Sequence, residues 1–301
     1  MKSIVIFGGA GFVGRYIITN LAKKDYRIII PYQKPTNEAK LRLLGNFGQV
    51  IPLYYRDLKD HKLIKILNNS QICINLKTHW SSNKIGFDKS ILDFNLKLSN
   101  LVKNSKSITQ FIFFSGLGVD EPQKSLRSKA IFEAEKLFHL NLVNSIIIRP
   151  GIIIGKEDNF LSRLIPIFKI SKIIPIFGNG KSRIQPISIE DVVLLVEKII
   201  TNNLKGKHIF ELAGSKIFDY IELYKMIANA LNKKRVFIKI PMIFCKILVK
   251  VVEKTPFSPI SLEQLYLFEK DNIEKNIDKN LKFYSIYPQD IENIIKKLAK
   301  N

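Results

Sequence analysis

The stretch IVIFGGAGFVGRYIITNLAK, residues 4–23, decides how the rest of the chain is read. Residues 2–7 form a short apolar run rich in β-branched side chains, as a strand buried on both faces requires. Gly8, Gly9, Gly11 and Gly14 follow directly, and Val13, Ile17, Ile18 and Leu21 then recur at helical spacing on one face. A strand, a glycine turn and a helix in this order predict a phosphate-binding βαβ entry. Gly8 permits the tight turn, Gly11 lets the backbone approach a pyrophosphate, and Gly14 lets helix and strand pack closely. Phe12 and Val13 fall in the first helical turn, where free N–H groups and the positive dipole end face an anion.

Strand-like runs at 27–31, 50–54, 72–76, 111–115 and 145–149 alternate with amphipathic stretches at 58–67, 94–103 and 130–140. This alternation predicts an α/β fold with a Rossmann-type, doubly wound parallel sheet over residues 1–155, completed by parts of 183–212. Past residue 150 the pattern loosens at Pro150, Pro166, Pro175 and Pro186. A smaller, interleaved C-terminal lobe over 156–301 is expected there.

Hydrophobic residues make up 46% of the 301, enough for a large core and too many for a disordered chain. Lys and Arg number 48 against 26 Asp and Glu, a net charge of +22 that could attract nucleic acid, anionic membranes or acidic partners. The basic residues are spread along the chain, with no Arg-rich cluster and no aromatic–basic interleaving, so no nucleic-acid partner is expected. Cys73 and Cys245 stand far apart in apolar surroundings, which suits a reducing compartment better than a disulfide scaffold. No apolar run reaches the roughly 18 residues of a membrane span. The first strand begins at the second residue, so no signal or transit peptide is expected ahead of it. His61, His79, His139 and His208 lack metal-ligand spacing, and no metal site is expected. Trp80, in the loop after the fourth strand, is assigned to core packing.

Four motifs resemble the extended short-chain dehydrogenase/reductase superfamily, whose familiar members are sugar epimerases and dehydratases. They are GGAGFVG at 8–14, Asp57-Leu58 after the third strand, RPGIIIG at 149–155 and QPISIEDVV at 185–193. A narrower set is similar to one atypical branch: IIIPYQK (28–34), LRLLGNFGQV (41–50), CINL (73–76), SLRSKAIFEAEKL (125–137) and GKEDNFLSRL (155–164). That branch contains the NAD(P)H-binding accessory subunit of the alpha subcomplex of mitochondrial respiratory complex I and its bacterial relatives. The similarity runs from residue 1 to about 215, with a weaker echo at 258–273.

The resemblance implies a nicotinamide dinucleotide as ligand. An NAD-preferring site carries an acid near the end of the second strand, for the ribose 2′-OH. Residues 31–35 read PYQKP, with no acid before Glu38, and Lys34 and Arg42 are nearby cations suited to a 2′-phosphate. NADP(H) is therefore expected over NAD(H), although Gln33 stands where the resembled branch carries arginine and Lys34 could be one more surface lysine. Asp57 falls where the superfamily's aspartate meets the adenine amino group, and could equally cap a helix opening at Leu58. Leu76 is expected near the pyrophosphate and ribose, and Pro150 beside the nicotinamide.

The superfamily's chemistry rests on Tyr-x-x-x-Lys, which puts both groups on one helix face. Lys129 matches the lysine, but Ser125 stands in place of the tyrosine, and no tyrosine occurs between Tyr55 and Tyr220. An aliphatic hydroxyl is a far poorer proton donor than a phenol of pKa about 10. The companion hydroxyl reduces to Ser115 at a strand end. Lys129 then reads as a ribose ligand and Ser125 as a helix N-cap, so efficient oxidoreductase turnover is not expected. The acidic pair Glu190-Asp191 is read as opening a helix over 192–200.

Residues 238–254, IKIPMIFCKILVKVVEK, carry Lys246, Lys250 and Lys254 on one helical face among apolar neighbours. Such a helix can lie in a membrane interface, pack on a partner, or serve as core with a solvated lysine stripe. Two readings of function stand. The first is a nucleotide-bound accessory or assembly protein in contact with a membrane respiratory complex of the complex I type. The second is an NADP-dependent reductase or epimerase-like enzyme with a hydrophobic, quinone- or isoprenoid-type substrate. The expected location is cytoplasmic, peripheral on the inner face of the membrane, or on the matrix side if mitochondrial.

Overall fold

Strand β1 (Ser3–Phe7) is buried at four of its five residues, because it runs between two neighbours in the middle of a parallel sheet. The computed structural model describes residues 1–78, 86–121, 125–252, 261–275 and 279–300. After β1 come α1 (Phe12–Ala22), β2 (Arg27–Tyr32), α2 (Glu38–Arg42), β3 (Val50–Tyr54) and α3 (His61–Leu67). They are followed by β4 (Ile72–Asn75), α4 (Phe94–Asn104), β5 (Gln110–Phe114), α5 (Leu126–Asn141) and β6 (Ser145–Pro150). The seven-stranded sheet has the order Lys207–Leu212, β6, β5, β4, β1, β2, β3. Pairs β1–β2, β1–β4, β2–β3, β4–β5 and β5–β6 are all parallel, with Val5 registered between Ile29 and Cys73. The strand order reverses between β1 and β4, the switch point where open α/β sheets bind ligands beyond the strands' carboxyl ends.

Two compact units emerge, Met1–Asp120 with Arg127–Arg149 and Val192–Phe210, and Glu121–Leu126 with Pro150–Asp191 and Glu211–Asn301. In the first, Phe7, Phe111, Phe113 and Phe138 lead the buried core, and the Phe138 ring lies 4.4 Å from that of Phe111. In the second, Phe168, Tyr220, Leu223, Tyr224 and Ile227 gather the core around the helices Leu161–Ile170 and Tyr220–Ala230. Strands Ile173–Phe177 and Val236–Ile240 of that unit pair in parallel.

Local differences from the sequence reading have physical causes. α3 opens at His61 rather than Leu58, because Asp60 rather than Asp57 accepts the Lys62 N–H and so caps it. Pro166 sits inside the helix Leu161–Ile170 instead of ending it. Glu190 and Asp191 lie in the first turn of a helix that begins at Ile189. In the helix Met242–Val252 the buried stripe is Cys245 and Val249, packed with Leu265. Lys246 is held by Glu269 at 2.6 Å, while Lys250 is exposed. The outward face is largely apolar, with Ile243, Phe244, Ile247, Leu248 and Val251 all 57–69% exposed. Among the described residues no helix is long and apolar enough to cross a membrane. His79, Trp80 and Lys254 lie outside the described residues.

Candidate functional site

The turn after β1 is built of close backbone approaches. Gly8 has φ +78°, and a Cβ there would lie 3.1 Å from the Leu76 carbonyl carbon. A Cβ on Gly14 would lie 2.5 Å from the Gly9 Cα, so only glycine lets α1 settle on the turn. Gly11 takes the N-cap position of α1, and its N–H donates to the Gly8 carbonyl at 3.0 Å. Among the described residues no side chain caps this helix through a hydrogen bond, and its first turn holds no acid. The N–H groups of Phe12 and Val13 at its start meet the condition for an anion at a helix N-terminus.

At the carboxyl end of β2, Tyr32 donates to Glu38, and Arg42 pairs with the same carboxylate at 3.0 Å. The Tyr32 hydrogen bond, then that of Arg42, hold the Glu38 carboxyl below the usual range. Arg42 is therefore committed within α2, whereas Lys34 is exposed. The Gln33 side chain donates to the Arg56 carbonyl at 3.2 Å and accepts from Lys77 Nζ at 2.7 Å. Asp57 is exposed and accepts from the Lys59 N–H at 2.7 Å, a local turn. Leu58 is buried in the core.

At the end of β4, the buried Asn75 donates to Asn95 of α4 at 2.6 Å and accepts from the Lys77 N–H at 3.0 Å. Leu76 is fixed by its N–H to the Phe7 carbonyl at 2.9 Å. Ser115 follows β5, and its buried hydroxyl has no hydrogen-bond partner among the described residues. A buried hydroxyl left unpaired is costly, and a polar ligand group at the end of β5 would relieve it. Lys129, in the first turn of α5, is exposed and makes no hydrogen bond or ion pair with the described residues. Pro150 ends β6, half-buried. The uncapped helix start, the glycine turn a Cβ would fill and the Ser115 hydroxyl all fit a dinucleotide.

Ser125 directly precedes α5, and its hydroxyl donates to the Glu263 carboxylate. A second arrangement escaped the sequence reading. Arg149 is 4% exposed and grips Glu135, 2% exposed, through Nε–Oε1 at 2.9 Å and Nη2–Oε2 at 2.6 Å. Its Nη1 reaches Asp120 at 2.8 Å. Only the pairing of RPGIIIG with SLRSKAIFEAEKL hinted at it. His139 Nδ1 lies 2.7 Å from the Ser145 hydroxyl, and His208 Nε2 lies 2.8 Å from the Lys205 carbonyl. No cluster of three or more His, Cys, Asp or Glu suited to a metal occurs among the described residues.

Residues 4–119 match the model of the NAD dependent epimerase/dehydratase family. Over 97% of its length the chain is 28% identical to the Arabidopsis thaliana mitochondrial "NADH dehydrogenase [ubiquinone] 1 alpha subcomplex subunit 9", covering 74% of that protein. The Dictyostelium discoideum protein of the same name is 31% identical over 74% of this chain, which spans 62% of the relative. Among solved structures, MoeE5 in complex with UDP-glucose and NAD superposes with a TM-score of 0.76 at 12% identity, covering 99% of this chain and 98% of that one. A human epimerase family protein with NADPH gives a TM-score of 0.71 at 15% identity, with complete coverage of both chains. At these identities the two structures speak for the fold alone.

Proposed function

We propose that the chain, whose residues 4–119 match the NAD dependent epimerase/dehydratase family, holds a nicotinamide dinucleotide as a standing ligand and works as an accessory or assembly protein. Its partner is a complex I-type NADH:quinone oxidoreductase. The observation that carries this reading is Ser125, which stands at the position of the superfamily's tyrosine and gives its hydroxyl to Glu263. The alignment with alpha subcomplex subunit 9 along nearly the whole chain supports the partner class.

The pyrophosphate is assigned to the N–H groups at the start of α1, across Gly8, Gly11 and Gly14. Ser115 is the donor toward the nicotinamide end, with Pro150 as an apolar border, and Lys129 takes the ribose hydroxyls. When bound, the dinucleotide supplies a hydride donor or acceptor. The chain offers no phenol to move the accompanying proton from the position of Ser125, and general acid help is typically worth 10²–10⁴-fold. The reductase or epimerase alternative lacks that group. NADP(H) is assigned over NAD(H) because no acid precedes Glu38 after β2, and Glu38 itself is engaged by Tyr32 and Arg42.

The exposed face Ile243, Phe244, Ile247, Leu248 and Val251 is assigned to an anionic membrane surface on the inner or matrix side. The net charge of +22 complements such a surface.

The test of the nucleotide reading is a pair of substitutions. Ser125→Ala is expected to leave NADPH affinity unchanged, with a stability loss of about 1–2 kcal/mol from the lost hydrogen bond to a carboxylate. Lys129→Ala is expected to weaken NADPH binding and to shrink the melting shift, which is roughly 2.7 kcal/mol at a hundredfold excess over Kd. A turnover by the parent protein that Ser125→Ala abolishes would replace this reading with the enzymatic one.

A further inference from the structure

Lys77 lies just past the carboxyl end of β4, and its side chain crosses toward the end of β2. β1 stands between those strands, so their ends are about 10 Å apart. The crossing is completed by Lys77 Nζ at 2.7 Å from Gln33 Oε1, directly after β2. The same ammonium lies 3.4 Å from the Tyr55 hydroxyl and 4.0 Å from the centre of the Phe94 ring. Its partners are thus an amide, a phenol and an aromatic face, with no carboxylate among the described residues. Burial, then repulsion from Lys34, pushes its pKa down to about 8. A half-buried cation with no carboxylate partner among the described residues, beside a second cation, is a site that an anion stabilises.

The end of β2 is where a doubly wound sheet reads the substituent on the adenosine ribose. Arg42 is tied to Glu38. We infer that Lys77, seated by Gln33, is the residue that recognises the 2′-phosphate of NADP(H), with Lys34 as an outer, solvent-screened contributor. Lys77 thus reaches from the far side of the glycine turn to the place that Gln33 leaves without a charge. The inference rests on the nucleotide-binding reading above and adds the residue that sets the choice between the two cofactors.

Calorimetry with NADPH and NADH on the full chain tests it. A charge-assisted contact to phosphate is worth roughly tenfold to a hundredfold in affinity. Lys77→Met is expected to lose about that factor for NADPH and to leave NADH binding unchanged. Lys34→Ala is expected to lose less. Gln33→Arg in the Lys77→Met background is expected to restore NADPH preference, because a guanidinium then occupies the same corner. If Lys77→Met does not fold, Lys77→Gln keeps a polar partner for Gln33 and is read in the same way. Equal losses for both cofactors, or an unchanged NADPH affinity, would overturn the inference while leaving nucleotide binding intact. If the parent binds neither cofactor, the nucleotide-binding reading itself falls.

Discussion

At the scale of single residues, Gly14 and Glu135 carry the sharpest consequences. Gly14→Val puts atoms where a Cβ alone already lies 2.5 Å from backbone, so α1 must lift off the turn. Loss of nucleotide binding and a stability loss of several kcal/mol are expected, on the scale of severe overpacking. A thermal melt with and without NADPH reads both; a full ligand shift in the variant would refute the placement of the pyrophosphate. Glu135→Ala leaves the Arg149 guanidinium buried without its bidentate carboxylate, and breaking such a pair costs about 3–5 kcal/mol. Denaturant unfolding checks this, and a loss below 1 kcal/mol would show that the pair is screened by water. Gly14 was legible in the sequence because its spacing to a strand and a helix encodes a backbone requirement. Lys77 was not: in a chain with 48 basic residues one lysine after a strand carries no signal until its reach to Gln33 is seen.

Among the elements, the helix Ile189–Thr201 opens on a strained acid. Burial, only partly offset by the Gln289 N–H at 2.9 Å, raises the Asp191 pKa from 3.8 to about 6, with Glu190 adding to the rise. The sign follows from linkage. The fold favours the protonated acid, so this contribution to stability is present below pH 3.8 and is lost as pH rises through about 6. Asp191→Asn keeps the acceptor for Gln289 and removes the charge. The loss of a favourable charge at a helix start, 0.3–1 kcal/mol, is smaller than the relieved desolvation. The variant is expected to gain about 1–2 kcal/mol at pH 7 and to flatten the stability profile between about pH 4 and 6. Destabilisation at pH 7 would contradict the assignment. The acidic pair was visible in the sequence as a helix start, but its burial is a tertiary fact. The helix Met242–Val252 shows the same limit. Its lysine spacing suggested one face, whereas the packing of Cys245 and Val249 on Leu265 decides which stripe faces out. Phe244→Ser with Ile247→Ser is expected to abolish flotation with anionic vesicles while leaving the melting temperature within a few degrees, because neither side chain is in the core. Unchanged flotation would remove this face as the membrane contact.

For the molecule as a whole, the alternation of strands and helices was enough to foresee the parallel sheet, which follows from chain handedness and short connections, whereas the strand order that sets its switch point was read from the structure. The second unit was harder to read. Its strands are short, such as Ile153–Ile154 and Arg183–Ile184, and its helix Leu161–Ile170 tolerates an internal proline that a pattern treats as a break. With Ser125 at the position of the superfamily's tyrosine, the role proposed for the chain is structural, and its similarity to proteins named alpha subcomplex subunit 9 motivates the proposed partner. Affinity capture of the intact, tagged chain from gently solubilised membranes of its own cells, with mass spectrometry of what accompanies it, tests this claim most directly. Subunits of an NADH:quinone oxidoreductase are expected to be recovered with it in fixed proportion. Recovery of the chain without any of those subunits, from membranes in which the complex is intact, would contradict it.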